Sequence, residues 1–180
     1  MIATEVTSPF LTPFKLSLVL AVFVAMPVIL AQLWGFIAPG LYKSEKRIAI
    51  PLLTSSVILF YAGVAFAYYV VFPLLFGFFT TVGPGDISVM TDINRYLDFV
   101  LKLFFAFGLA FEVPVAAVIL ILTGVVTADQ LANNRSYVIV GCFIMGMLLT
   151  PPDVISQTLL ALPMWLLFEV GLVMGRALSR

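Results

Sequence analysis

Residues 104–122 form an apolar run broken by a single carboxyl group, that of Glu112. A run of this kind belongs either in a lipid bilayer or deep in a protein core, and composition decides between them. With 63% hydrophobic and 10% charged residues, the chain has too little polar surface to cover a water-soluble globule. An integral membrane protein is implied, and Glu112 is its most costly residue. An ionised acid at mid-bilayer costs at least a few kcal/mol. The group must therefore be protonated, solvated by water in a concavity, or hydrogen-bonded.

The same composition removes whole classes of function. There is no histidine, so a histidine-activated nucleophile, a histidine metal site and an HExxH motif are all impossible. Cys142 is the single cysteine; it excludes an intrachain disulfide and reads as an inert thiol within an apolar segment. Neither a phosphate-binding GxxxxGKS/T loop nor a GxGxxG fingerprint occurs, and the net charge of zero argues against nucleic acid. No cofactor is called for, and no catalytic constellation is present.

Five apolar stretches, at about 14–38, 48–79, 96–124, 136–149 and 155–175, predict an all-α polytopic transmembrane bundle in one domain over 1–180. The first three exceed the roughly 20 residues that a bilayer needs, so they should tilt or kink. The fourth is too short to cross about 30 Å of hydrocarbon at 1.5 Å per residue. Either residues 136–175 make a re-entrant hairpin, or two short spans thin the bilayer, which is the favoured expectation. Pro151, Pro152 and Asp153 form the intervening turn, with Asp153 as an N-cap. Pro27, Pro73, Pro114 and Pro163 lie inside four of the stretches and should bend them.

Lys43, Lys46, Arg47, Arg135, Arg176 and Arg180 mark the cytoplasmic connections, which puts Glu5, Asp86, Asp92 and Asp153 outside. The N-terminus then lies outside without a helix to carry it across, and the simpler expectation is an upstream span. Near the outer boundary Arg95, Asp98 and Lys102 have i, i+3 and i+4 spacings and should neutralise one another, with Lys15 snorkelling outward. Gly171 and Gly175 make a GxxxG pair, a weak signal for helix dimerisation.

Long strings carry a resemblance: MIATEVTSPFLTPFKL at the start, LWGFIAPGLYKSEKR after the first stretch, FAFGLAFEVPVA around Glu112 and GMLLTPPDVISQTLLALPM near the end. Across essentially its whole length the chain resembles TatC, the multispanning core subunit of the twin-arginine protein translocase. That family has six helices forming a concave scaffold, with both ends in the cytoplasm. The resemblance implies that this chain begins in the first outward-facing loop, without the N-terminal segment and first helix. It also implies a function: binding twin-arginine signal peptides of folded precursors and, with the single-span subunits TatA and TatB and other TatC copies, transporting them on the proton-motive force. The bacterial inner membrane is the implied location, ahead of an organellar membrane.

Two groups of residues match the family's working positions. In the loop after the first stretch, Glu45 matches the glutamate implicated in recognition, and a carboxylate can accept two parallel N–H bonds from one guanidinium. Phe36, Pro39, Leu41 and Tyr42 match the patterned helix end beside it, as an apolar wall for the peptide or simply an interfacial anchor. Within the membrane, Glu112 matches a polar position of the concave face, Gln157 a position that contacts a partner helix, and Met147, Leu148 and Thr150 the adjoining surface. Read from the residues alone, Glu45 is rather a solvated ion pair among three cations, and Gln157 equally a bond between the chain's own last helices. An ion-coupled solute transporter is the rival function, with Ser55, Ser56 and Gln157 lining a path to Glu112.

The Glu45 loop carries one negative and three positive charges, so its net field repels a basic ligand. The family supplies a further acid from its N-terminal cytoplasmic segment. A paired-arginine peptide titrated against this chain should bind weakly, and more tightly once that upstream region is added; equal affinities would contradict the expectation.

Overall fold

The computed structural model describes residues 8–37, 46–82, 92–150 and 154–178. Almost all of them are helical: α1 (Ser8–Ile37), α2 (Lys46–Phe66), a π-helical segment (Ala67–Val71), α3 (Phe72–Val82), α4 (Ile93–Ala110), α5 (Val113–Leu122), α6 (Ala128–Asn133), α7 (Arg135–Leu149) and α8 (Val154–Leu178). Four helical stretches are long and apolar enough to cross a membrane, while α7, at 15 residues, is shorter. At 1.5 Å per residue α7 measures about 22 Å.

The prolines act differently from one another. Pro27 and Pro163 sit inside continuous helices, as do Pro13 and Pro51. Ahead of Pro73 the chain widens into the π segment, where the Phe72 N–H reaches the Ala67 carbonyl. That turn ends two residues before the proline, whose ring would otherwise press on the Tyr69 carbonyl. Pro114 does not bend a continuous helix. The third stretch breaks at residues 111 and 112, and Pro114 opens the new helix α5 at a position where its missing N–H costs nothing.

Helix ends are set by local chemistry. Asp92 caps α4 by accepting from the Asn94 N–H at 2.8 Å and the Arg95 N–H at 3.3 Å. Thr127 and Gln130 form a reciprocal capping box at α6, a six-residue helix absent from the apolar pattern but written in the T-x-x-Q spacing. Between α5 and α6 Gly124 takes φ +70°, which a side chain would resist.

Lipid tails are as apolar as leucine, so helices associate here through close packing rather than water exclusion. The crossings therefore run through small residues. In α2 Gly63 lies against the Phe107 carbonyl of α4, and in return Gly108 of α4 lies beneath the Phe60 ring; a Cβ there would be 2.6 Å from it. Gly171 and Gly175 of α8 face Pro114, Ala117 and Ile121 of α5. The GxxxG pair is thus spent on an intrachain contact, not on a second copy. Gly146 of α7 meets the Gln157 backbone of α8, where a Cβ would stand 3.3 Å away.

Two buried clusters result. One joins Ala67, Val71 and Leu75 to Leu103, Phe107, Leu160 and Met164; the other joins Met26 and Leu30 to Phe60, Val115 and Ile119. The α4–α5 stretch is the axis of both. Its most apolar window is 56% buried, against 11% for α1, which lies at the periphery.

Replacing Gly171 with valine should cost about 1–3 kcal/mol, because its Cβ would stand 2.6 Å from the Pro114 Cα and backbone cannot yield as a side chain can. Unfolding in mixed detergent would register it. Gly77→Ala, with open space at its Cβ, should leave stability unchanged or slightly higher.

A buried carboxyl at the central helix break

Glu112 stands at the N-terminus of α5, in the two-residue break of the central helix. Its backbone N–H bonds to Leu109 O at 3.0 Å, a tighter turn than the α pattern, and its carbonyl accepts from Ala116 N at 2.9 Å. The side chain makes no cap to its own helix. Instead Ser56 Oγ, on α2 and fully buried, donates to Glu112 Oε2. The other oxygen, Oε1, is buried and has no hydrogen-bond partner among the described residues. Desolvating a polar atom without a bond is costly, so this oxygen is an acceptor in want of a donor.

An open apolar recess of about 400 Å³ adjoins the break. Leu109 and Val113, which bracket Glu112, line it together with Val138, Met145, Met164 and Phe168. Glu112 itself does not line this recess: its carboxyl bonds to Ser56 of α2, and the recess is walled by α4, α5, α7 and α8. The recess suits the reception of a helical partner rather than bond chemistry. Among the described residues no three Asp, Glu or Cys side chains gather to hold a metal ion.

The remaining sequence candidates separate into groups. Glu45, Pro39, Leu41 and Tyr42 lie outside the described residues, as do Pro151, Pro152 and Asp153. Phe36, at the end of α1, is 86% exposed. Met147 and Leu148 point outward from α7, whereas Thr150 is buried and donates to Gly146 O at 2.9 Å as the helix ends. Gln157 is half-buried where α8 crosses α7. Ser55 donates to Leu52 O at 2.8 Å, so its hydroxyl is held by its own helix. Neither Ser55 nor Ser56 therefore presents a free hydroxyl to a solute path.

Sequence reasoning missed three features. Asp98 pairs with Lys15 of α1, not with Arg95 or Lys102 of its own helix. Glu169, deep in α8, takes Arg135 in a two-pronged contact, with Nη2 donating to Oε2 at 2.8 Å and Nε 2.7 Å from Oε1. Arg176 reaches Asp129 at 3.1 Å. A charged residue late in an apolar helix was the available signal for Glu169; the partner's identity depends on how α7 and α8 pair.

The described residues thus define a polytopic helical membrane protein with an acid at its centre. Residues 1–163 match the family described as Sec-independent protein translocase protein (TatC). The chain belongs to that family. It is 68% identical over 175 residues to the TatC protein of Azotobacter chroococcum mcd 1, covering 97% of this chain and 69% of that one. Against the TatC protein of Escherichia coli K12 the identity is 57% over 176 residues, covering 98% and 68%. A crystal structure described as the twin-arginine translocase receptor TatC superposes with a TM-score of 0.89 at 41% identity, covering all of this chain and 79% of that one. The family's role is transport of protein, not catalysis.

Removing the Ser56 hydroxyl takes from Glu112 Oε2 the bond it accepts, while Oε1 has none to begin with among the described residues. Ser56→Ala should therefore cost about 1–3 kcal/mol of stability in detergent. In a Glu112→Leu background the same change should cost far less, and a double-mutant cycle showing no coupling would refute the pairing.

Proposed function

We propose that this chain acts as the membrane core of a twin-arginine translocase, binding paired-arginine signal peptides and passing folded precursors across the bacterial inner membrane with TatA and TatB, driven by the proton-motive force. Family membership supports the overall role. The observation that carries the mechanism is the open apolar recess lined by Leu109 and Val113, the residues on either side of the helix break that holds Glu112.

Two sites divide the work. Glu45 grips one guanidinium of the paired arginines through two parallel N–H bonds, which a lysine cannot reproduce. The apolar part of the signal peptide, or a TatA or TatB helix, then lies along the recess near Glu112. There a polar atom of the incoming helix satisfies the carboxyl. Gln157, Met147 and Leu148 supply a further contact surface for a partner helix. The short α7 fits this role, since a helix of about 22 Å against about 30 Å of hydrocarbon thins the bilayer at that side.

In a translocase assembled with its partners, Glu45→Gln should weaken binding of a paired-arginine peptide by roughly tenfold to a hundredfold, the equivalent of about 1.5–3 kcal/mol for a charged hydrogen bond. A paired-lysine peptide should be bound poorly by both proteins. Unchanged affinity in the variant removes Glu45 from recognition. Two roles are open to Glu112, as a contact for the incoming helix or as a relay for protons. Glu112→Gln keeps the hydrogen bonding but cannot ionise, so normal transport by that variant leaves the contact role and eliminates the relay.

A further inference from the structure

A second groove lies beside the central recess, at the end of the bundle where α4 begins. It runs between α1, α4 and α7, has a volume of about 400 Å³, and is lined by Val19, Leu101, Phe105, Leu109, Met145 and Leu149. Lys15, Asp98 and Lys102 sit at its mouth. Because Lys15 engages Asp98, Lys102 is left exposed with no ion-pair partner among the described residues, and so is Arg95 two turns away on the same helix. Three cations therefore stand against two acids, Asp98 and the helix-capping Asp92.

We propose that this groove is a binding site for one anionic phospholipid, with the phosphate held by Lys102 and Lys15 and an acyl chain laid along the groove. Length supports a lipid occupant. From position 98 to position 109 α4 advances about 16 Å. That is close to half of the roughly 30 Å hydrocarbon thickness, the depth of one leaflet. Polarity supports it as well, since the cations stand at one end and the wall beyond them is apolar. Leu149 is the last helical residue of α7 and lines the groove. The short helix therefore ends against the same groove that Lys102 lines.

An ammonium binds phosphate as a point charge, so anionic headgroups, which carry no compensating choline or ethanolamine, should be retained preferentially. The site needs only that the chain sits in a bilayer, and stands apart from the signal-peptide reading.

Native mass spectrometry of the purified 180-residue chain, released from detergent micelles containing equal phosphatidylglycerol and phosphatidylcholine, tests it. At least fivefold preference for phosphatidylglycerol is expected. Lys102→Gln should reduce its retention at least fivefold, Lys102→Arg should preserve it, and Arg176→Gln, at the opposite end of the bundle, should leave it unchanged. Equal retention of the two lipids, or undiminished retention by Lys102→Gln, overturns the proposal. Should Lys102→Gln fail to give a monodisperse helical chain, Leu109→Trp fills the groove and keeps the cations. Loss of retention then supports the site, and undiminished retention sinks it.

Discussion

The arrangement of this bundle turns on one polar contact, the hydrogen bond from Ser56 to Glu112 across the α2–α4 crossing. A carboxyl at this depth cannot be left to lipid, so a donor must be brought to it. The donor arrives because α2 and α4 approach at Gly63 and Gly108, close enough for a short serine side chain to span the gap. The central helix breaks at the same place. Residues 111 and 112 leave the α pattern, and Pro114 restarts it without forfeiting a bond.

Around that centre, polar contacts between helices concentrate near the ends of the bundle. Lys15 with Asp98, and Thr12 with Asn94, tie α1 to α4 at one end. Arg135 with Glu169, and Arg176 with Asp129, tie α7 and α6 to α8 at the other. Exposed pairs of this kind contribute little to stability on their own. Their effect here is on register: each fixes one helix against another, while the apolar surfaces between them would tolerate sliding. The glycine contacts of α8 on α5 then set how closely the helices lie.

The open side follows from these choices. Because α7 packs mainly on α8 and only lightly on α4, a space remains between α4 and α7, bordered by Leu109 and Met145. Closure would need larger side chains at Ala106, Ala110 and Gly141, all of which line the space and are small. An apolar hollow reaching from the cationic mouth to the helix break can admit a lipid chain in one part and a foreign helix in the other.

Much of this was legible in the residues. Apolar length and the scarcity of charge specify a helical membrane protein, because a backbone in lipid has few ways to satisfy itself, and the long strings around Glu112 specify the family. The position of Glu112 alone declares that a donor or water must meet it. The sequence could not say that Ser56 is the donor, that Lys15 takes Asp98 from Lys102, or that Gly171 and Gly175 face α5 instead of a second copy. Periodicity within one helix fixes which residues share a face, but not which helix lies against that face. In lipid, where every apolar face is equally content, only close packing of small residues and the pairing of a few polar groups decide between neighbours.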